Sequence, residues 1–257
     1  MKALRTGVQL LFLAGVVALL VRGLIGDTPH DCETYCPFGG LAALYPLARY
    51  NIYNCRLTEL NVALLVSTVA LGLAAEKSFC GWICPLGTVQ EWIGRAGRTR
   101  WGRWLHVPDR LDRYGVFLRY GVLAAVLTLT WTVWQGDLGF RAYDPYYIIF
   151  SWNGHGTMPW SVWVAVGFLA AAFVTPLFWC RYFCPLGAVL DPFSRCGALR
   201  LRRDKDKCNQ CGDCDDVCPH RIPVSEMDQV TARNCTNCME CVSACRLNAL
   251  ELSWYGK

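Results

Sequence analysis

The final part of this 257-residue chain carries eight cysteines in two runs of one spacing, Cys208-x2-Cys211-x2-Cys214-x3-Cys218-Pro219 and Cys235-x2-Cys238-x2-Cys241-x3-Cys245. Three thiolates in so short a loop cap three irons of one 4Fe-4S cube, and the fourth cysteine of each run turns toward the other cube. Ligation then crosses over. One cluster takes Cys208, Cys211, Cys214 and Cys245, and the other takes Cys235, Cys238, Cys241 and Cys218. Zinc ribbons favour two separated C-x2-C halves, and disulfide frameworks lack the x2-x2-x3 rhythm. Arg246 stands where the first run has Pro219, which reshapes the turn without removing a ligand.

Hydrophobic residues make up 54% of the chain, too many for a soluble carrier of this size, which places most of it in a bilayer. Apolar stretches cover residues 7–25, 57–75, 115–134 and 160–179, each close to the roughly 20 residues a helix needs to cross the hydrocarbon core. The loop after the second stretch carries Arg95, Arg98, Arg100, Arg103, Arg110 and Arg113, and a further basic run from Arg195 to Lys207 follows the fourth. Positive loops stay on the cytoplasmic side. The expected topology is multi-pass in a prokaryotic inner membrane, with both termini cytoplasmic and residues 26–56 and 135–159 outside. Trp92, Trp101, Trp104 and Trp179 then fall near the inner membrane boundary. The net charge of +5 is mostly the cytoplasmic arginine and does not call for a nucleic-acid partner. Arg22 and Arg119 lie near apolar-helix ends, where long stems snorkel, and read as anchors. Residues 141–152, with Tyr143, Tyr146 and Tyr147, read as an interfacial segment whose rings rest on lipid.

An internal repeat adds a second thiol site. Cys80-Gly81-Trp82-Ile83-Cys84-Pro85-Leu86-Gly87 matches Cys180-Arg181-Tyr182-Phe183-Cys184-Pro185-Leu186-Gly187 one hundred residues on, and the match continues through Glu91 and Asp191. The expected fold is mostly α: a four-helix transmembrane bundle of two parallel-repeat hairpins over residues 1–200, and a cytoplasmic double 4Fe-4S ferredoxin domain over residues 201–257. A twofold relation would bring Cys80, Cys84, Cys180 and Cys184 together at the cytoplasmic face. They then hold a third 4Fe-4S cluster, in preference to two reducible dithiols, because cytosolic thiols are kept reduced.

A third copy, Cys32-x3-Cys36-Pro37, falls on the outer side with Cys55. Three cysteines are one short for an all-thiolate cluster. The set either accepts a fourth ligand or forms a redox-active disulfide. About 30 Å of hydrocarbon would separate it from the inner clusters. His30, His106, His155 and His220 are the four histidines, none inside an apolar helix, which argues against bis-histidine haem. No Walker loop, dinucleotide fingerprint or Ser/His/Asp arrangement is present, so phosphate chemistry and hydrolysis have no support.

Four apolar helices, paired C-x3-C-P-L-G motifs and a C-terminal dicluster domain together resemble the polytopic membrane ferredoxin family that includes NapH-type and NosR-type quinol dehydrogenase components. The resemblance covers nearly the whole chain. It implies an electron-transfer subunit of an oxidoreductase, passing electrons between the quinone pool, its 4Fe-4S clusters and a periplasmic or cytoplasmic redox partner. The alternative is a maturation factor that uses its clusters and the outer thiols Cys32, Cys36 and Cys55 to reduce a metal or a disulfide in a partner enzyme.

Overall fold

The computed structural model describes residues 2–25, 36–50, 59–101, 107–133, 139–150, 158–195 and 197–254. Cys32, Cys55, Cys196, His30, His106 and His155 lie outside the described residues. The chain is mostly helical and closes with a small unit built on two strands.

Helix α1 (Lys2–Ile25) is built inside out. It buries Arg5 and Gln9, while Leu4, Leu10, Leu11, Val17, Val21 and Ile25 are exposed. Residues four apart share a helix face, so the polar face meets protein and the apolar faces point away from it. The helices α3 (Glu59–Ala75) and α7 (Ser161–Val174) follow the same rule. The first buries Asn61, Leu65, Thr68 and Gly72, and the second Ser161, Ala165 and Ala172; Val66, Val162 and Trp163 are turned out. Small and hydroxyl-bearing residues at a contact face let helix backbones approach closely. In α5 (Asp109–Thr132) the inward set is Val116, Arg119, Val126 and Thr130.

Two segments, Lys2–Arg22 and Arg110–Thr132, are long and apolar enough to cross a membrane by length and composition. The other two expected stretches form helices of 17 and 14 residues. The first ends at Ala75, where Glu76 turns the chain with a left-handed φ of 56°; the second ends at Val174, because Thr175 is extended ahead of Pro176. A single π-type turn, Phe79–Ile83, then carries the first C-x3-C run, and the Cys84-Pro85 step opens α4 (Pro85–Trp101). The second copy repeats the plan with a five-residue helix, Phe178–Tyr182, and a helix that opens at Pro185 and runs to Arg195. Proline fits a first helical position because the N–H it lacks would have no partner within the helix.

Packing is reciprocal between the two copies. Helix α4 lies against α1 and α7, and the Pro185–Arg195 helix lies against α5 and α3, so each Cys-Pro helix also packs on the apolar helix of the other copy. A Cβ at Gly97 would sit 1.9 Å from the Phe173 carbonyl oxygen, which leaves glycine as the residue that allows α4 so close to α7.

Several aromatic and charged positions differ from expectation. Trp179, expected near the inner membrane boundary, is buried and stacks on Phe140 and Phe183. Tyr147, expected on lipid, is buried together with Phe150 in the short helix Pro145–Phe150, which packs on α7 and α1. The cause is the Asp144-Pro145 step, which starts a half-helix that turns back among its neighbours. Arg119, expected to snorkel, is 1% exposed and held by Asp191 at 2.5 Å.

The terminal unit is closed by antiparallel strands β1 (Leu199–Arg203) and β2 (Leu250–Trp254), with Leu201 opposite Leu252. Its core gathers Leu201, Ile222, Val224, Val230 and Leu250 against Cys218, Cys235 and Cys241. Left-handed residues at Gln210, Gly212 and Arg221 recur at Asn237, Met239 and Asn248, so both cysteine runs fold alike. The Arg246 departure therefore leaves the second turn intact, its side chain 87% exposed.

Three of the contacts that seat this unit on the helices come from the thiol turns themselves. Trp82 Nε1 donates to the Asn237 carbonyl at 3.0 Å, and Arg181 Nη1 donates to the His220 carbonyl at 2.9 Å while its guanidinium pairs with Asp112. The third is Gly81, where a Cβ would meet the Thr236 carbonyl oxygen at 2.7 Å. Gly81→Ala is expected to cost about 1–3 kcal/mol through overpacking. Thermal unfolding in detergent checks this, and an unchanged midpoint would contradict the contact.

Candidate metal centres

In both C-x3-C copies the second cysteine closes the turn through its own backbone. Cys84 N–H donates to the Phe79 carbonyl at 3.0 Å, and Cys184 N–H to the Trp179 carbonyl at 2.9 Å. The first N–H groups of the helices that follow point at sulfur: those of Gly87 and Leu86 at Cys84, and those of Gly187 and Leu186 at Cys184. A helix N-terminus favours negative charge, and a thiolate is what it meets here.

The four thiols Cys80, Cys84, Cys180 and Cys184 line one cavity of about 620 Å³. They lie within electrostatic reach of one another, Cys80 of Cys184, and Cys180 of each of the other three. The structure thus brings together the four cysteines that the repeat pairs. Two further cavities lie in the terminal unit. One, of about 190 Å³, is lined by Cys208, Cys211, Cys214 and Cys245. The other, of about 20 Å³, is lined by Cys218, Cys235, Cys238 and Cys241. These are the crossed sets read from the spacing. Backbone N–H groups reach sulfur in matching places, Ile222 to Cys218 at 3.4 Å and Ala249 to Cys245 at 3.3 Å.

Every described cysteine is free of disulfide bonds. Among the described residues no three His, Cys, Asp or Glu side chains close on a single metal ion. A cube spreads four thiolates over four irons, so a ligand set for it is wider than a mononuclear cage. Donor type, N–H groups aimed at sulfur and the unpartnered ring of buried His220 on the large cavity wall fit a polynuclear anionic group. In the outermost set the Gln210 N–H, with Arg203, holds the Cys208 thiol below its ordinary value. Burial, with Asp215, pushes Cys214 up to about 12.

Cys36 is not remote from this site. It lines the same cavity as Cys84 and Cys184, and it packs with the cluster that contains Phe38 and Leu186. The expected 30 Å gap does not apply to it. The reason is local: after Cys36-Pro37 the chain forms α2 (Gly39–Tyr50), which turns back onto α3, and Asn61 Nδ2 donates to the Cys36 carbonyl at 3.2 Å. Asp144, also followed by proline, reaches the same cavity.

Charged residues to which the cysteine motifs assign no role flank the thiols. Asp191 accepts from Lys77 and from Tyr120 at 2.5 Å, and it forms an ion pair at 2.5 Å with Arg119, whose Nη1 donates to Asn234 Oδ1 at 3.0 Å. Glu91 accepts from Arg5, from Gln9 at 3.3 Å and from Arg95 at 2.6 Å. Each repeated acid is therefore clasped by an arginine from the first helix of its own half. The repeat makes the two acids visible in the sequence; it does not reveal their arginine partners.

Comparison with known proteins agrees with this arrangement. A family model described as a 4Fe-4S binding domain matches residues 60–103 and again 157–206, and one described as a 4Fe-4S dicluster domain matches residues 200–246. The putative electron transport protein YccM of Escherichia coli is 32% identical over 228 residues, covering 84% of this chain and 62% of its own length. Protein MJ0750 of Methanocaldococcus jannaschii is 34% identical over 196 residues, 75% of this chain and 79% of that protein. The ferredoxin-type protein NapH of Escherichia coli is 29% identical over 192 residues, 70% of this chain and 63% of NapH. The chain thus spans less than two thirds of YccM and NapH. No solved structure matches. Two copies of one 4Fe-4S model on the repeated thiol turns, a dicluster model on the terminal unit and relatives of this kind show that the chain belongs to the NapH/NosR-like family of ferredoxin-type, 4Fe-4S-binding electron-transport proteins.

Proposed function

We propose that this protein is a multi-pass membrane electron relay with three 4Fe-4S centres. Cys208, Cys211, Cys214 and Cys245 hold the first, Cys218, Cys235, Cys238 and Cys241 the second, and Cys80, Cys84, Cys180 and Cys184 the third. A bound cube accepts and returns one electron, and the protein contributes position and electrostatics. The observation that carries the reading is the shared cavity of the four repeated thiols, reached from below by the Thr236 loop of the second set. Exposed Cys211 marks the first set as the face where a soluble redox partner exchanges electrons.

The faces of α1, α3, α5 and α7 support hydrocarbon as the surrounding solvent, since large apolar side chains point outward while Arg5, Gln9, Asn61, Thr68, Arg119, Thr130 and Ser161 point inward. Four spans with both termini cytoplasmic remain our reading, with the boundary between membrane and ferredoxin parts near residue 200. The third site would exchange electrons with a quinone. The apolar side of its cavity, formed by Leu11, Phe12, Val16 and Leu19 of α1, suits the isoprenoid tail of a quinone and leads to the thiols.

Anaerobic membranes that contain the protein are expected to show reduced-cluster EPR signals at low temperature after addition of quinol, and to lose them on addition of quinone. Clusters that reduce with dithionite and stay silent with quinol would defeat the quinone step.

A further inference from the structure

The four-thiol cavity has one wall that its ligand set does not explain. His220 is 5% exposed, and neither ring nitrogen has a hydrogen-bond partner. A buried polar group left unpaired costs about 1–3 kcal/mol, so such a ring in a native fold points to an acceptor supplied by something bound. On the same wall Lys77 is paired with Asp191, and Arg119, whose charge Asp191 also meets, keeps Nε and Nη2 outside any hydrogen bond, so both it and His220 offer donors there. His220 also lines the small cavity of Cys218, Cys235, Cys238 and Cys241, and it shares with Thr236 the distinction of facing both cavities. Its backbone is fixed from the helix side, where Arg181 donates to the His220 carbonyl at 2.9 Å. The ring therefore stands between the third and second thiol sets, held in place, with an N–H to give.

We propose that His220 is a positioning residue that donates its ring N–H to a sulfur of the cluster held by Cys80, Cys84, Cys180 and Cys184, raising that cluster's potential and coupling it to the second ferredoxin cluster. The inference rests on the three-centre reading above. A hydrogen bond to cluster sulfur is stronger in the reduced, more negative state, so it favours reduction. One electron crossing the His220 wall oxidises one cube and reduces the other; no bond breaks and no proton moves. The neutral ring supplies the single N–H this requires.

The test is an EPR-monitored redox titration of the intact, detergent-solubilised protein, with iron counted in each sample. His220→Leu is expected to shift the reduction equilibrium of one centre about tenfold toward the oxidised form, ~59 mV for one electron, with the other two centres and the iron content unchanged. His220→Gln, which restores an N–H, is expected to return most of that shift. An unmoved titration curve in His220→Leu with full iron would overturn the proposal. So would loss of about four irons in both variants, which would make the residue a ligand or a scaffold. Wild-type protein with only two centres would instead defeat the underlying reading.

Discussion

Replacing Cys184 with serine is expected to lower bound iron from about twelve to about eight atoms per chain, the loss of one 4Fe-4S centre out of three. Cys184 lines one cavity with Cys84 and Cys80, and it receives the N–H groups of Gly187 and Leu186 at the start of its helix. A serine hydroxyl is not a soft ligand for iron, and the remaining three thiols cannot hold a cube in the same cavity without it. The two ferredoxin sets share no cysteine with this cavity, so their EPR signals should survive. The symmetry of the site makes the expectation stricter: Cys84→Ser, from the other copy, should give the same loss and the same surviving signals. Iron near eight per chain in the parent protein and in both variants would remove the third centre from the scheme.

Asp191→Leu is expected to destabilise the fold by about 3–5 kcal/mol, the range for removing one partner of a buried ion pair. The substitution leaves Lys77 and Arg119 side by side with no carboxylate between them, both nearly fully buried. Arg119→Leu should cost less, because Asp191 keeps Lys77 and Tyr120 as partners. Replacing Asp191 and Arg119 together by apolar residues should recover part of the loss, since the pair also carries a desolvation cost when intact. Thermal unfolding in one detergent at fixed pH orders the three variants. If Asp191→Leu unfolds no earlier than Arg119→Leu, the asymmetry of the cluster has been misjudged.

Much of this arrangement is legible in the order of the amino acids alone. The C-x2-C-x2-C-x3-C runs imply crossed ligation, and the left-handed residues that recur in both loops show how backbone turning brings alternate sulfurs inward. The hundred-residue shift identifies the two thiol turns that share a cavity and the two acids Glu91 and Asp191. It stops at the loops. Arg5 and Arg119 occupy matching roles at a different offset from the thiol turns, because the segments that connect each first helix to its thiol turn differ in length. Cys36 and Asp144, each ahead of a proline and a half-helix, are offset in the same way. Hydropathy also treats Arg119 as a helix-end charge drawn toward water, whereas its carboxylate partner lies in another helix of the bundle. That distinction depends on which face meets protein, and a one-dimensional average of apolarity does not contain it.

Glu240 receives both Arg5 and Arg95, at 2.8 and 2.6 Å. One carboxylate thus fastens the first helix to the second cysteine loop, so a change that loosens that loop should be felt at Arg5, whose other partners are Glu91 and the Gly81 carbonyl.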